Sequence, residues 1–573
     1  MDENRQSTEN SGTILAVIMV VIILSSLIFI IVRLWEKPGM PWSSGNAQGS
    51  TEATDAEGEE TGSSPVEEGV VRIASDQNLG DMDVAKNSST YFLPINVYDR
   101  LVEIREKEDG TPEIIPSLAK QWTESPDGKL FTIYLRDDVV FSNGKPLTAY
   151  DVKFSLSRLL TVPGSEQTAY ADMILGADDL MAGKAEELYG IQVVDDHCLR
   201  VILSEPFPSF ISMLGSPACS ILCKEVVEAA GDSYGTDIGS IIGSGPYMLT
   251  EADDEMCILE YNPKYWGKTP SVKKAEMRVM VNSLMNREFS KGNLDLLDLD
   301  FLNGEAKEQY LTDDDYTYKD KFVVKENVGI ISLMLNTDIP PLDLVKIRKA
   351  VQYAIDRERI VKEVCGGYAD ITDGIFPKGL IGYTEENQGW LKYDPEKAKE
   401  LVKEAGIGGN YTVELAIGST ADISIQRLTE IVQENLNAVG INTVTVVYDP
   451  DSRLYLRRNG KIMAYVFDWY ADYNDPDNFI YTIFGSEEAT KKFSSNYKDY
   501  GTMERIGKAR TIINDEKRLM EYAALERKLI MDDAVWVPLY SSEHVFVKGD
   551  RVKSYIPYWA GWSDVILEDM ELK

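Results

Sequence analysis

The residues best placed to do chemistry sit together between Trp469 and Phe479. Trp469, Tyr470, Tyr473 and Phe479 interleave there with Asp472, Asp475 and Asp477. A solvated acidic loop seldom carries so many rings. Rings exclude water, and a carboxylate behind them is costly to bury unless a cation comes to it. The pattern reads as an aromatic-lined pocket with one buried carboxylate waiting for a cation; a loop of packed rings is the bland alternative.

Other chemistries are poorly supplied. The chain has two histidines, His197 and His544, too few for most triads, zinc proteases or proton shuttles. His197 ends the turn-like Val194-Asp195-Asp196-His197, and His544 lies in the alternating run Ser541 to Phe546, so both read as structural. Cys219 and Cys223 could share a helix face, but no third and fourth ligand lies nearby; they read as core thiols. No phosphate-binding G-x-x-x-x-G-K-[ST] loop is present, and Gly243-Ser244-Gly245-Pro246 lacks the spacing of a nucleophile elbow. The expectation is a protein that is not an enzyme, with no metal and no cofactor.

The elements around the acidic cluster explain how it would be positioned. Ala464-Tyr465-Val466-Phe467 is a short strand that runs into it. In open α/β sheets ligands lie beyond the carboxyl ends of strands, which places Trp469 and Asp472 at a crevice. Upstream, Asp394 caps a helix with Pro395 at its first position, Ala398, Leu401, Val402 and Ala405 form its apolar stripe, and Gly406 ends it. Tyr411, Val413, Leu415 and Ile417 alternate as a strand. Ile425, Leu428, Ile431, Val432, Leu436 and Val439 follow at helical spacing up to Gly440, and Ile441 to Val447 is strand-like again. This is a β-α-β unit of a parallel sheet. Nearer the start, Val70 to Ala74 is strand-like. Phe131, Ile133 and Leu135 alternate after the turn Pro126-Asp127-Gly128, and Thr148 to Asp151 leads into a helix with Val152, Phe154, Leu156 and Leu159.

The whole composition sets bounds. The 573 residues allow several lobes, and 58 Lys+Arg against 94 Asp+Glu give a net charge of -36. That excludes nucleic acid as a default partner, since a phosphate backbone demands a basic face. Five cysteines, an odd number without any C-x-x-C pair, argue against a disulfide framework.

The start of the chain is distinct. Ile14 to Val32 is apolar save for Ser25 and Ser26, close to the roughly 20 residues needed to cross a bilayer. It ends in Val32-Arg33-Leu34-Trp35-Glu36-Lys37 without a small-residue cleavage site and without a following Cys. Residues 1–37 read as a cytoplasmic tail and single-pass transmembrane anchor, and 38–69, rich in Gly, Ser, Thr and acid, as a disordered acidic linker. Arg5, Arg33 and Lys37 give the positive-inside rule little to decide orientation.

Several longer segments carry a resemblance. They are Val97-Tyr98-Asp99-Arg100-Leu101-Val102-Glu103, Pro116 to Trp122 with Ser125 to Lys129, and Phe141-Ser142-Asn143-Gly144-Lys145-Pro146-Leu147-Thr148-Ala149-Tyr150-Asp151-Val152. Gly243 to Tyr247, Asn262 to Trp266 and Ile347 to Arg357 follow in order. With them the chain, from about residue 70 to its end, resembles the peptide-binding branch of bacterial extracellular solute-binding proteins, the family 5 oligopeptide and dipeptide receptors of ABC importers.

The resemblance implies an α/β, bilobed fold of the periplasmic-binding-protein type (class II) with an extra third domain. Domain I would comprise 70–112, 238–325 and 540–573, domain II 113–237, and domain III 326–539, with hinges near residues 326 and 540. It implies that the large part lies on the extracellular side of the cell membrane, that peptides are captured in the cleft, and that the partners are an ABC permease and ATPase, the receptor itself being monomeric. In the family's tryptophan-x-x-aspartate segment, here Trp469-Tyr470-Ala471-Asp472, the aspartate takes the peptide's α-ammonium. Arg457 matches an arginine that can reach a ligand carboxylate, and Ser88 completes the expected ligand-binding set. Dipeptide binders carry an arginine where this chain has Gly418-Ser419-Thr420, which speaks against strict dipeptide specificity. A peptide-pheromone signalling receptor, or a binder of nickel chelates, opines or haem, is the alternative on the same scaffold.

Overall fold

A computed structural model describes residues 67–75, 82–87, 90–107, 110–302, 309–310, 318–407, 411–421, 423–562 and 564–573. The chain divides into two compact units, Met1–Thr61 and Gly62–Lys573, and all described residues belong to the second. The expected anchor Ile14 to Val32 and most of the acidic linker lie outside the described residues, as does Ser88. Among the described residues no helix is long and apolar enough to cross a membrane.

Three larger sheets organise the second unit. The first takes strands Val70–Ser75, Lys274–Val279, Met256–Tyr261 and Tyr247–Ala252 in that spatial order, the first pair parallel and the others antiparallel. Its core joins Val71, Ile73, Leu259 and Met277 to Leu567 and Met570 from the end of the chain.

The second sheet, Ala119–Glu124, Leu130–Leu135, Cys198–Ile202 and Ile191–Asp195, is antiparallel throughout. The expected hairpin is there. Gly128 takes a φ of +66° at its turn, a conformation that suits glycine, and Phe131, Ile133 and Leu135 all face the core. The helix Ala149–Thr161 packs on this sheet. Thr148 starts it by donating its amide and its hydroxyl to Asp151 Oδ2, each over 2.9 Å. Val152, Leu156 and Leu159 are buried as expected, whereas Phe154 turns to the core of the first sheet.

The third sheet holds the candidate site. Its main strands are β1 (Gly329–Leu335), β2 (Val413–Gly418), β3 (Thr443–Tyr448), β4 (Ala464–Tyr470) and β5 (Trp536–Lys548). Their spatial order is β5-β1-β4-β2-β3, with Leu296–Asp298 beyond β5. The helices used below are α1 (Pro395–Ala405), α2 (Ile423–Ala438), α3 (Pro450–Arg458) and α4 (Pro476–Phe484). The β-α-β expectation holds: β2 and β3 are parallel and α2 connects them. Leu428, Ile431, Val432, Leu436 and Val439 pack in one core. Asp394 caps α1 by accepting from the Lys397 amide over 2.9 Å, and Gly406 closes it at φ +69°. Only Ala398 of its stripe is fully buried; Leu401, Val402 and Ala405 pack at the margin of the core. Tyr411 lies exposed before β2 rather than within it.

Within the third sheet, β5 changes partners along its length. β5 pairs with β1 over Trp536 to Tyr540, then with Phe322–Glu326 and Leu296–Asp298 over Glu543 to Lys548. The passage from Glu326 to Gly329 runs beside the point where β5 changes partners. Asn327 Nδ2 donates to Ser542 Oγ (2.7 Å), and Ser541 Oγ donates to the Gly329 carbonyl (2.8 Å).

Candidate functional site

The site begins at β4. The sequence reading ended this strand at Phe467; it continues to Tyr470, because β1 pairs with it from Leu335↔Ala464 to Gly329↔Tyr470. Trp469 and Tyr470 are therefore strand residues on opposite faces. Trp469 stacks on Phe467, with ring centroids 6.1 Å apart, and meets Phe493 edge-on at 5.6 Å. Tyr470 packs over Gly329, where a Cβ would stand 2.3 Å from its ring, and its hydroxyl pairs with Ser542 beside the β5 crossing. Ala471 is fully buried, and its amide donates to the Val328 carbonyl over 2.8 Å.

Past the strand end, α4 fixes Asp472. Asn478 Nδ2 donates to Asp472 Oδ2 (2.9 Å), while Asn478 Oδ1 accepts from the Asp472 amide (3.1 Å) and from the Trp469 indole (3.1 Å). Tyr170, from the helix-bearing second core, also hydrogen-bonds the carboxylate. Burial pushes the hydroxyl pKa values of Tyr91 and Tyr558 up, and the nearby Asp472 charge adds to this. Tyr91 stacks on Trp562 (5.6 Å), which also packs on Tyr558 (4.9 Å). Asp564 holds the Tyr91 segment through the Tyr91 amide (3.2 Å) and the Thr90 hydroxyl (3.0 Å). Segments about 80 to 380 residues apart thus converge on one carboxylate.

The three acids of the cluster differ in one decisive way. Asp475 has a cation inside the protein, Arg518, at 2.7 Å. Asp477 has Arg510 at 3.2 Å and the hydroxyls of Tyr473 and Tyr522 at 3.0 and 2.9 Å. These two are structural: Asp475 also caps α4. Among the described residues Asp472 has no cation within salt-bridge distance. Burial pushes its carboxyl up to about 6, and only the hydrogen bonds of Asn478 and Tyr170 oppose this.

The main chain beside Asp472 offers a second feature. β4 meets β2 only at Ala464↔Leu415. The edge of β4 facing β2 has no strand partner beyond that point among the described residues. Since Ala471 donates toward β1, the antiparallel alternation turns the N–H and C=O of Asp468 and Tyr470 to this open edge.

The remaining expected residues fall elsewhere. Arg457 lies on α3, with its guanidinium 5.6 Å over the Phe493 ring and beside the Tyr465 hydroxyl. His197 sits in the turn before Cys198–Ile202. His544 Nε2 is 2.7 Å from Asp298 Oδ2, and the ring stacks on Phe546. Asp298, Asp300 and His544 are the one group of three potential metal ligands lying together among the described residues. Cys219 and Cys223 are buried free thiols. Gly243 and Gly245 pack against the Val97 carbonyl, and Ser244 Oγ donates to Asp99 Oδ2 (2.8 Å), so this motif builds the fold.

Sequence reasoning missed Asn478, Tyr91, Tyr170, Tyr558 and Trp562. Asn478 stands six residues past Asp472 and was within reach of a capping argument for α4; the others carry no local signal.

The strands and helices around this caged carboxylate make an α/β protein. Residues 113–491 match the family of bacterial extracellular solute-binding proteins, family 5, and the chain belongs to that family. It is 28% identical over 482 residues to the dipeptide-binding protein of Escherichia coli, covering 81% of this chain and 86% of that one. Heme-binding protein A of Haemophilus influenzae is 27% identical over 483 residues, covering 80% and 84%. Among solved structures, the periplasmic binding protein DppA of Helicobacter pylori in complex with the peptide STSA superimposes with a TM-score of 0.73 at 26% identity, covering 88% of this chain and 98% of that one.

Proposed function

We propose that this protein captures peptides with a free amino terminus in the cleft at Asp472 and hands them to an ABC importer. The observation that carries the reading is that, among the described residues, Asp472 alone of its cluster has no cation, although Asn478 and Tyr170 orient its carboxylate. An α-ammonium supplies the missing charge. A charge-assisted hydrogen bond of this kind contributes roughly 1.5–3 kcal/mol, and more as water is excluded. The open edge of β4 supports the same reading: an extended peptide can add to it as a strand through main-chain groups, with little demand on its side chains. The relatives, a dipeptide-binding protein and a complex with the peptide STSA among them, favour peptide over haem.

Closure follows from the same charge. An unpaired carboxylate in a closed cleft costs about 3–5 kcal/mol, so ligand tips the balance toward closure. The paired passages at Asn327 and Ser541–Ser542 are the hinge of this motion, between domains I (70–112, 238–325, 540–573) and III (326–539), with domain II (113–237) beside them. Residues 14–32 anchor the receptor in the membrane, with the binding unit outside and monomeric, facing a permease and its ATPase. Native mass spectrometry of the purified protein tests the reading. Co-purified peptides, displaced by added peptide, are expected; haem or a metal chelate in their place would contradict it.

A further inference from the structure

Away from Asp472, three potential metal ligands gather on one face of the third sheet. Asp298 ends the strand Leu296–Asp298, Asp300 follows in the turn Leu299–Phe301, and His544 lies on β5. Asp298 pairs with Phe546 in an antiparallel register. Residues opposite each other in such a ladder point to one face, and so do residues two apart on a strand. His544 therefore shares the face of Asp298, and its ring stacks on Phe546 with centroids 4.5 Å apart. The same register carried on by one more pair on this face would set Asp300 opposite His544. The chain turns there instead, held by Asp298 Oδ1, which accepts from the Asp300 amide over 2.9 Å.

The other oxygen of Asp298 is the telling atom. Asp298 is 7% exposed and His544 5%. Asp298 Oδ2 stands 2.7 Å from His544 Nε2, yet it has no hydrogen-bond partner, so the ring aims no N–H at it. Among the described residues no lysine or arginine pairs with Asp298. Lys325, opposite His544 on the neighbouring strand, goes to Glu106. A buried carboxylate oxygen without a donor calls for an explanation. A nitrogen and an oxygen this close, with no proton on the line between them, are disposed as two ligands of one ion. Metal bonds of about 2.0–2.2 Å set neighbouring ligand atoms roughly 3 Å apart. Asp300 Oδ2 lies 3.4 Å from the other ring nitrogen, and one atom from each of the three residues lies within 4.8 Å of the other two.

We propose that Asp298, Asp300 and His544 bind one divalent transition-metal ion, zinc by preference, with water completing its coordination. One imidazole nitrogen beside two carboxylate oxygens suits zinc better than magnesium or calcium, which take oxygen ligands. The net charge of -36 draws cations to the protein. Asp300, its side chain 35% exposed, gives the ion its way in. The bound ion ties the turn Leu299–Phe301 to β5 two residues beyond Ser542, where β5 changes partners. It braces the scaffold and is independent of what Asp472 binds.

The chain has only two histidines, which makes the test direct. Full-length protein stripped with a chelator is titrated with zinc chloride by calorimetry, and its isotope-labelled histidine ring signals are followed by NMR. One zinc ion per chain is expected, with micromolar or tighter affinity. Of the histidine signals only the one missing from His544→Gln should move. The Tm should rise by roughly 2–5 °C when zinc exceeds its Kd about a hundredfold. Asp300→Asn, at the exposed member of the set, should weaken zinc binding by roughly tenfold or more. No zinc uptake by the wild type overturns the proposal, and that result needs no variant to fold. A His544 signal that titrates with pH but ignores zinc overturns it in favour of an imidazolium paired with two aspartates. Zinc binding that His544→Gln and Asp300→Asn both leave intact places the ion elsewhere and overturns it too. Calcium or magnesium binding as tightly as zinc overturns the assignment to a transition metal.

Discussion

Asn478 grips Asp472 at both ends: its Nδ2 donates to the carboxylate over 2.9 Å, and its Oδ1 accepts from the Asp472 main-chain amide over 3.1 Å. Because the same Oδ1 takes the Trp469 indole proton, one side chain on α4 sets the register of the whole Trp-x-x-Asp segment. Asn478→Leu keeps the volume and removes these bonds. It should weaken peptide binding by roughly tenfold, about 1–2 kcal/mol, with Asp472 still present. Titration calorimetry checks this; unchanged affinity would mean the grip is dispensable.

Peptide affinity should depend on pH through Asp472. Its carboxyl is pushed up to about 6 in the unliganded protein, and an ammonium needs the ionised form. Affinity should therefore be flat above pH 7 and fall roughly tenfold by pH 5. In Asp472→Asn the dependence over this range should disappear. Binding measured at half-unit steps would show it, and an identical slope in wild type and variant would assign the titration to another group.

The same shift predicts a trade of stability against function. Burial raises the folded-state pKa above the ordinary 3.8, so the empty protein loses stability as pH rises past the unfolded value, and the loss is complete above the folded one. Asp472→Asn should raise stability by about 2–3 kcal/mol above pH 6. The gain should shrink as pH falls and vanish below the unfolded value. Denaturant midpoints at pH 7.5 and pH 3.5 provide the comparison; a gain of equal size at both would indicate better packing instead of a removed charge.

Gly243 marks a place where the fold tolerates no side chain. A Cβ there would stand 1.9 Å from the Val97 carbonyl oxygen, a main-chain atom that cannot swing away. Gly243→Ala should cost more than about 2 kcal/mol or abolish soluble expression. A variant with the wild-type midpoint would show that the Val97 turn shifts freely.

What the sequence disclosed follows from the range of the forces involved. The caps at Asp394 and Thr148, the turn at Gly128 and the β-α-β unit rest on contacts within a few residues, and periodicity exposes them. Asp472 was legible because rings and acids crowd a short stretch. Its cage was not, since Tyr91, Tyr170 and Tyr558 each look like an ordinary core aromatic until the chain folds. The extent of β4 was also hidden: Asp468 breaks the apolar alternation, and only pairing with β1 carries the strand on to Tyr470. Arg453 and Arg457 show helical spacing in the sequence, but that among the described residues neither has a carboxylate within salt-bridge distance is a property of the packed structure.

The central claim is that Asp472 neutralises the amino terminus of a bound peptide. A four-cornered calorimetric comparison, wild type and Asp472→Asn each against a free and an N-acetylated tetrapeptide, tests it most directly. The expected result is a loss of at least tenfold on acetylation in the wild type and almost none in the variant. Equal losses in both proteins would place the ammonium elsewhere.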